Sequence, residues 1–372
     1  MTTHPRHRRG FALSPVPAPA PVLALDLGGT RIRAAVVGPD GARIARTAAP
    51  TPSARGPAAV VDVCAAALRA ALEAARTTTG LETADLGGIG ISAPGPVDPW
   101  SGTVLEPPNL GPEFANIPLA AELEARFGLP AYLDRDTNVA LLAERAFGAA
   151  RGIDDAVYLT VSTGIGGAMV SGGQLVHGPD GLAGELGHLV VELDGPPCGC
   201  GGRGHVEAIA SGVALAREAR AAVARGESPF LATRAADDPS KLSARHVAAG
   251  ELAGDAACAA LMARARRAVA AACVGIANAL NPHVIIIGGA IAAAQGERLL
   301  APVRAAIASD VFPAIGRRIR VLPPQLGDDV SLAGAVPLVA GRRHDDRWRR
   351  GRRPLTAHDH VVLQPPREVA LS

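Results

Sequence analysis

Carboxylate, imidazole and thiol side chains crowd one stretch of this chain. Between His177 and Ser211 stand Glu185, Glu192 and Glu207, the histidines His177, His188 and His205, and the cysteines Cys198 and Cys200. Glycines separate them, and glycine allows backbone turns that other residues resist. Carboxylates and soft ligands spaced in this way predict a site shaped by loops and pinned by a metal. Elsewhere, three glycine-rich turns follow apolar runs: Gly28-Gly29-Thr30, Thr163-Gly164-Ile165-Gly166-Gly167 and Gly288-Gly289-Ala290. Backbone N–H groups in such turns can cradle phosphates, although any tight turn also calls for glycine. No G-x-x-x-x-G-K-[ST] run occurs, which excludes a Walker-type loop. The turn after Asp26 leads into a second strand, whereas the dinucleotide-binding fingerprint needs a helix there.

These residues need a scaffold, and the hydrophobic periodicity supplies one. The apolar run from Val22 ends in Asp26, and a second alternating strand runs from Arg31 to Val37, a hairpin pattern with Gly28-Gly29 at the turn. A third strand over 43–48 extends the meander. Val60, Val61, Cys64, Leu68 and Leu72 recur at helical spacing over 57–79. A strand over 86–92 runs into the rigid turn Ala93-Pro94-Gly95-Pro96-Val97-Asp98. A helix over 118–127 opens on proline. A strand over 131–133 leads through Asp134-Arg135-Asp136 into a helix over 137–147. Asp136 thus stands at a helix start, where a carboxylate is favoured on electrostatic grounds alone.

The strand, glycine turn, strand pattern returns over 156–170, predicting two related α/β half-domains. Helices follow over 214–225 and 256–280, with a polar connector between them. Then come a buried strand over 284–287, a helix over 297–309, a strand over 319–322 and a final helix over 331–341. The organisation predicted is an N-terminal half over 21–138, a C-terminal half over 139–330 carrying the metal loop, and a final helix packing back on the first half. Proline and alanine over 1–20, and arginine over 342–372, predict disordered tails. The arginine-rich tail reads as solvated, or as a tether to nucleic acid or an anionic surface.

A formal net charge of +2 on 372 residues leaves no global field to recruit nucleic acid or membrane. Lysine occurs once, at Lys241, so arginine carries the positive charge. Five cysteines with one tight pair do not form a secreted disulfide framework, and Cys64, Cys258 and Cys273 read as buried free thiols. No apolar run is long enough to span a membrane and no signal peptide is evident, so a cytoplasmic protein is expected.

Taken together and in this order, the three glycine turns resemble the phosphate-1, phosphate-2 and adenosine motifs of the hexokinase–actin superfamily. Within it the chain resembles the ROK family of bacterial sugar kinases and sugar-responsive repressors. The family's D-x-G-G-T-x-x-R pattern stands as Asp26-Leu27-Gly28-Gly29-Thr30-Arg31-Ile32-Arg33. Its E-x-G-H…C-x-C-G-x-x-G-C-x-E pattern stands as Glu185-Leu186-Gly187-His188 and the run from Cys198 to Glu207. The resemblance covers roughly residues 22 to 340. It implies two actin-like α/β domains around a cleft that holds ATP and sugar. By resemblance, Asp136 is the base that accepts the sugar hydroxyl proton, and Asp26 orients Mg²⁺. Gly28, Gly29, Thr30, Arg33, Thr163, Gly164, Gly166, Gly167, Gly288 and Gly289 serve the nucleotide. Glu185, His188 and Glu207 hold sugar hydroxyls, with Gly95, Asn109 and Arg135 beside them. His177 and Glu192 match no family position and read as solvated loop residues. A homo-oligomer, dimer or tetramer, is expected by resemblance.

Two departures from the family stand out. The implied ligands of a structural zinc are His188, Cys198, Cys200 and His205, where the family usually has cysteine at the last position. Zinc accepts either residue, but an empty loop with two free thiols is the alternative. Arg135 replaces the usual asparagine. Arginine only donates hydrogen bonds, and its charge is expected to lower the pKa of Asp136. It either faces the ligand, admitting an anionic or differently substituted sugar, or pairs with a carboxylate and points away.

The reading is an ATP-dependent kinase acting on the 6-hydroxyl of a hexose, with glucose first and N-acetylglucosamine or N-acetylmannosamine next. A sugar-sensing regulator is the rival of another class. The 25 residues before Asp26 are proline-broken and too few for the helix-turn-helix domain such regulators carry. A non-catalytic sugar-binding relic is the third possibility.

Overall fold

The computed structural model describes residues 20–107, 109–236 and 238–343. The tails expected at the two termini lie outside these residues, apart from Ala20, Arg342 and Arg343.

The first half opens as a meander of β1 (Val22–Leu27), β2 (Arg31–Val37) and β3 (Arg43–Pro50). Helix α1 (Pro57–Thr79) starts on proline and ends at Gly80 in the left-handed conformation. β4 (Ile89–Ala93) follows, then a small ribbon of β5 (Val97–Asp98) and β6 (Thr103–Val104). Helix α2 (Leu119–Phe127), β7 (Ala131–Arg135) and helix α3 (Asp136–Phe147) lead to the second half. The first sheet has the order β3-β2-β1-β4-β7, with β1, β4 and β7 parallel.

β1 and β2 are apolar on both faces, which explains their near-continuous burial. Leu23, Leu25, Ile32, Ala34 and Val36 pack against α1. Val22, Ala24, Ala35 and Val37 face the other way.

The second half repeats the plan. β8 (Ala156–Val161), β9 (Ile165–Ser171) and β10 (Gln174–Leu175) form the meander. Helices α4 (Val206–Ala210), α5 (Gly212–Ala224), α6 (Pro229–Arg234), α7 (Ala244–Leu252) and α8 (Ala256–Leu280) follow. β11 (Val284–Gly288), α9 (Ala290–Gln295), α10 (Glu297–Asp310), α11 (Pro313–Gly316) and β12 (Arg320–Leu322) complete it. The sheet order β10-β9-β8-β11-β12 matches the first, so the echo in sequence is an echo in topology. Cys258 and Cys273 are free thiols buried on α8, and Cys64 is one buried on α1 of the first half.

Four sequence expectations need correction. The polar connector before α8 contains α6 and α7, because Leu231, Leu242 and Val247 give it an apolar face that the core absorbs. The boundary placed between 138 and 139 falls inside α3. The final helix is two pieces, α12 (Val330–Ala333) and α13 (Ala335–Arg343). Arg342, assigned to the tail, is the buried end of α13, because its guanidinium answers the buried carboxylate of Asp134.

Leu332, Ala335, Val336 and Val339 of these two helices cover the second face of β1 and β2. A Cβ at Gly90 of β4 would lie 2.6 Å from that of Ala335, so glycine lets the helix settle on the sheet. Among the described residues no helix is long and apolar enough to cross a membrane.

Candidate functional site

β7 ends in Arg135, and Asp136 is the first residue of α3. The side chain of Asp136 is exposed to the cleft between the halves, yet cleft walls enclose it on most sides. That enclosure pushes its pKa up to about 6, and the carboxylates of Asp26 and Glu185 push the same way. The Thr137 N–H, 2.7 Å from Asp136 Oδ1, and the charge of Arg135 pull it down. The expectation that Arg135 would leave Asp136 a weaker base is therefore corrected: desolvation outweighs the arginine.

Asp26 ends the apolar part of β1. Its Oδ1 accepts from Ser92 Oγ at 3.0 Å, and its Oδ2 accepts from Arg33 Nε and NH2 at 2.9 and 2.6 Å. Arg33 also donates to the Asp328 carbonyl at 2.5 Å, so it locks Asp26 to the C-terminal segment. Gly28, Gly29 and Thr30 form the β1–β2 turn, and Asn109 lies over it. A Cβ at Gly29 would come within 2.6 Å of the Asn109 carbonyl oxygen. Gly95 faces the Arg135 side chain, whose Cδ lies 3.1 Å from where a Cβ would stand.

Across the cleft, Thr163 and Gly164 lie in the β8–β9 turn, whereas Gly166 and Gly167, expected in that turn, are residues of β9 paired with Thr160 and Leu159. Glu207, in the first turn of α4, accepts from Ile165 N at 2.8 Å. Gly288 ends β11 and Gly289 caps α9. A cavity of about 300 Å³ between the halves is lined by Asp136, Arg33, Thr160, Gly289, Ala290 and Ser331 among others. The structure thus brings Asp136, Arg33 and Gly289 to one cavity from three distant parts of the chain.

Arg135 is the departure that the fold explains. Only 5% of its side chain is exposed. NH1 donates to Glu185 Oε1, and NH2 donates to the Ala183 carbonyl and, at 3.4 Å, to that of Gly167. All three acceptors belong to the second half. Arg135 neither ignores the site nor stands as a bare cation in it: it pairs with a carboxylate assigned to the sugar. Glu185 remains half-exposed, with Oε2 3.9 Å from His188 Nε2.

His188 turns its other nitrogen, Nδ1, to Cys198 Sγ at 3.8 Å, and His205 Nδ1 lies 3.3 Å from Cys200 Sγ. One donor atom from each of the four residues falls within 4.8 Å of the others. Tetrahedral zinc with bonds of about 2.0–2.3 Å needs donors about 3.5 Å apart. Two thiolates and two neutral imidazoles at these spacings fit such an ion.

Two residues read as solvated are not. His177 Nε2 lies 2.8 Å from Asp134 Oδ2, and its side chain is 10% exposed. Glu192 takes Arg264 Nε and NH2 at 3.0 and 2.6 Å, a bidentate pair that ties the loop to α8. Asp134, Ser92 and Arg342 were not singled out in sequence. Asp134 could have been questioned as a carboxylate in a buried strand; the other two carry no local signal.

The family model described as "ROK family" matches residues 22–342. The chain is 35% identical over 321 residues to a glucokinase of Thermotoga maritima, covering 86% of this chain and 98% of that one. It is 33% identical to an N-acetylmannosamine kinase of Shigella flexneri, covering 87% and 99%. The structure of a ROK family glucokinase from Streptomyces griseus in complex with glucose and AMPPNP superposes with a TM-score of 0.67 at 31% identity, covering 86% and 98%. The fold is the actin-like pair of α/β domains, and the chain belongs to the ROK family.

Proposed function

We propose that the protein is an ATP-dependent hexose kinase that phosphorylates the 6-hydroxyl of glucose. The observation that carries this reading is the placement of Asp136: a carboxylate of raised pKa, exposed to a cleft, on a cavity that Arg33 of the first half and Thr160, Gly289 and Ala290 of the second also line. Such a group is ionised at neutral pH yet basic enough to take a proton. Asp136 accepts the proton of the 6-hydroxyl as its oxygen bonds to the γ-phosphorus and the bond to the ADP oxygen breaks. Positioning carries most of the catalysis in such a transfer.

Asp26, fixed by Ser92 and Arg33, is placed to hold Mg²⁺ through water, and the ion would neutralise charge on the phosphates. The N–H groups of the Gly28-Gly29-Thr30 and Thr163–Gly167 turns cradle the phosphates, with Gly288-Gly289 towards the adenosine. Glu185, His188 and Glu207 accept from or donate to sugar hydroxyls, with Asn109 and Gly95 alongside. The His188, Cys198, Cys200 and His205 set would hold a structural zinc. A cytoplasmic location and a homo-oligomeric state follow from the same reading.

A second substrate class is favoured by the match to an N-acetylmannosamine kinase, which is as long as the glucokinase match and nearly as similar. Coupled ADP-release assays over glucose, mannose, N-acetylglucosamine and N-acetylmannosamine decide between them. The kinase reading predicts turnover on at least one, with glucose having the highest kcat/KM. Sugar binding without turnover on any would overturn it.

A further inference from the structure

Immediately before Arg135 and Asp136 lies a carboxylate with no contact to water. Asp134 is 0% exposed, and four donors meet it. Its Oδ1 accepts from Arg135 N at 2.8 Å and from Asn138 Nδ2 at 2.7 Å. Its Oδ2 accepts from His177 Nε2 at 2.8 Å and from Arg342 NH2. Arg342 also donates to the Leu133 carbonyl at 2.5 Å. The His177 ring packs against Trp100, with ring centroids 5.5 Å apart.

The donors come from the strand end, the first helical turn, a loop of the second half and the last helix. An unpaired ionised carboxylate at this depth would be costly, so the partners must stay in place. The bonds on Oδ1 also staple residue 135 to residue 138. Asp136 lies inside that staple.

We propose that Asp134, His177 and Arg342 form a positioning network that holds the carboxylate of Asp136 and the guanidinium of Arg135 at the reacting end of the cleft. None of the three is among the residues that line the Asp136 cavity. The network acts through the β7–α3 junction, and it rests on the kinase reading for what Asp136 does. It makes α13, far in sequence from Asp136, part of the catalytic alignment.

The test compares Arg342→Leu, Arg342→Lys, His177→Leu and His177→Gln with the parent in the full chain. Steady-state kinetics on the preferred sugar are paired with amide hydrogen exchange over residues 134–140. The leucine variants lower kcat by roughly 10- to 100-fold, the scale of a small misplacement of a reacting group, with both KM values held within about threefold. His177→Gln, which restores a donor near the Nε2 position, and Arg342→Lys recover most of the loss. Exchange rises locally at 134–140 in the leucine variants.

Leucine variants that melt earlier but keep the parent's kcat and local exchange would overturn the network. If Arg342→Leu does not fold, the His177 pair decides by the same readouts. If the parent phosphorylates no sugar, the kinase reading fails, and local exchange alone supports or overturns the network.

Discussion

Arg135 leaves the first half of the protein and donates to Glu185 in the second, so one ion pair spans the cleft. Together with the Ala183 and Gly167 carbonyls, Glu185 gives the guanidinium three anchors on the far wall. The pair is neutral overall, which weakens the case for an anionic sugar. It leaves Glu185 Oε2 free for a hydroxyl.

Arg135→Asn removes the span, because asparagine is too short to reach Glu185. The sugar KM is expected to rise about tenfold, the worth of one hydrogen bond to a charged group, with a smaller change in kcat. Arg135→Lys keeps the charge but loses the forked geometry and falls between the two. Initial-rate kinetics check this, and an unchanged KM in Arg135→Asn would show that the pair does not organise the sugar side.

Asp136→Asn removes the proton acceptor. The expected loss in kcat is on the order of 10²–10⁴-fold, with sugar binding retained by calorimetry. The parent's pH profile should show the same group. Asp136 works only when ionised, and its pKa is pushed up to about 6, so kcat/KM falls as pH drops through about 6 and is level just above it. A profile with no acid limb between pH 5 and 7 (roughly the reach of one titrating base) speaks against this assignment.

Asp134 titrates in the opposite sense. Burial raises its pKa, but Arg342, His177 and Asn138 together outweigh burial and hold it down at about 2. The unfolded value is about 3.9, so the ionised form stabilises the fold fully above that pH and loses this contribution as pH falls towards 2. Arg342→Leu therefore costs most near neutral pH, on the order of 3 kcal/mol, and much less near pH 2. Urea denaturation at the two pH values measures the difference; equal losses would mean that Arg342 contributes packing alone.

The chain should carry about one zinc per molecule after metal-replete expression, released on chelation with a fall in Tm. Cys200→Ala should bind less than half as much as the parent. Metal analysis giving under about half an equivalent in the parent means the loop is held by its glycines and hydrogen bonds.

Much of this fold was legible in sequence. The two hairpins could be read because β1, β2, β8 and β9 alternate apolar and small residues around glycine turns. The spacing from Glu185 to Glu207 marked the second motif because those contacts are local in sequence. The rest depends on meetings between distant segments. Nothing near Arg135 announces Glu185 as its partner, and nothing near His177 announces Asp134. Arg342 looked like the start of a basic tail because its neighbours are arginines; a buried carboxylate 208 residues away retains it in the fold. The connector before α8 misled for a simpler reason: its polar residues outnumber Leu231, Leu242 and Val247, which do the packing.

Helices α12 and α13 also roof the first strands. Val22, Ala24, Ala35 and Val37 have their outer face covered by Leu332, Ala335, Val336 and Val339. On the ribosome, the opening hairpin therefore keeps one side bare until residues 332–339 emerge. A chain that stops short of Leu332 leaves that apolar face uncovered. The first half is thus completed by residues that follow the second, and it cannot finish folding in the order of synthesis.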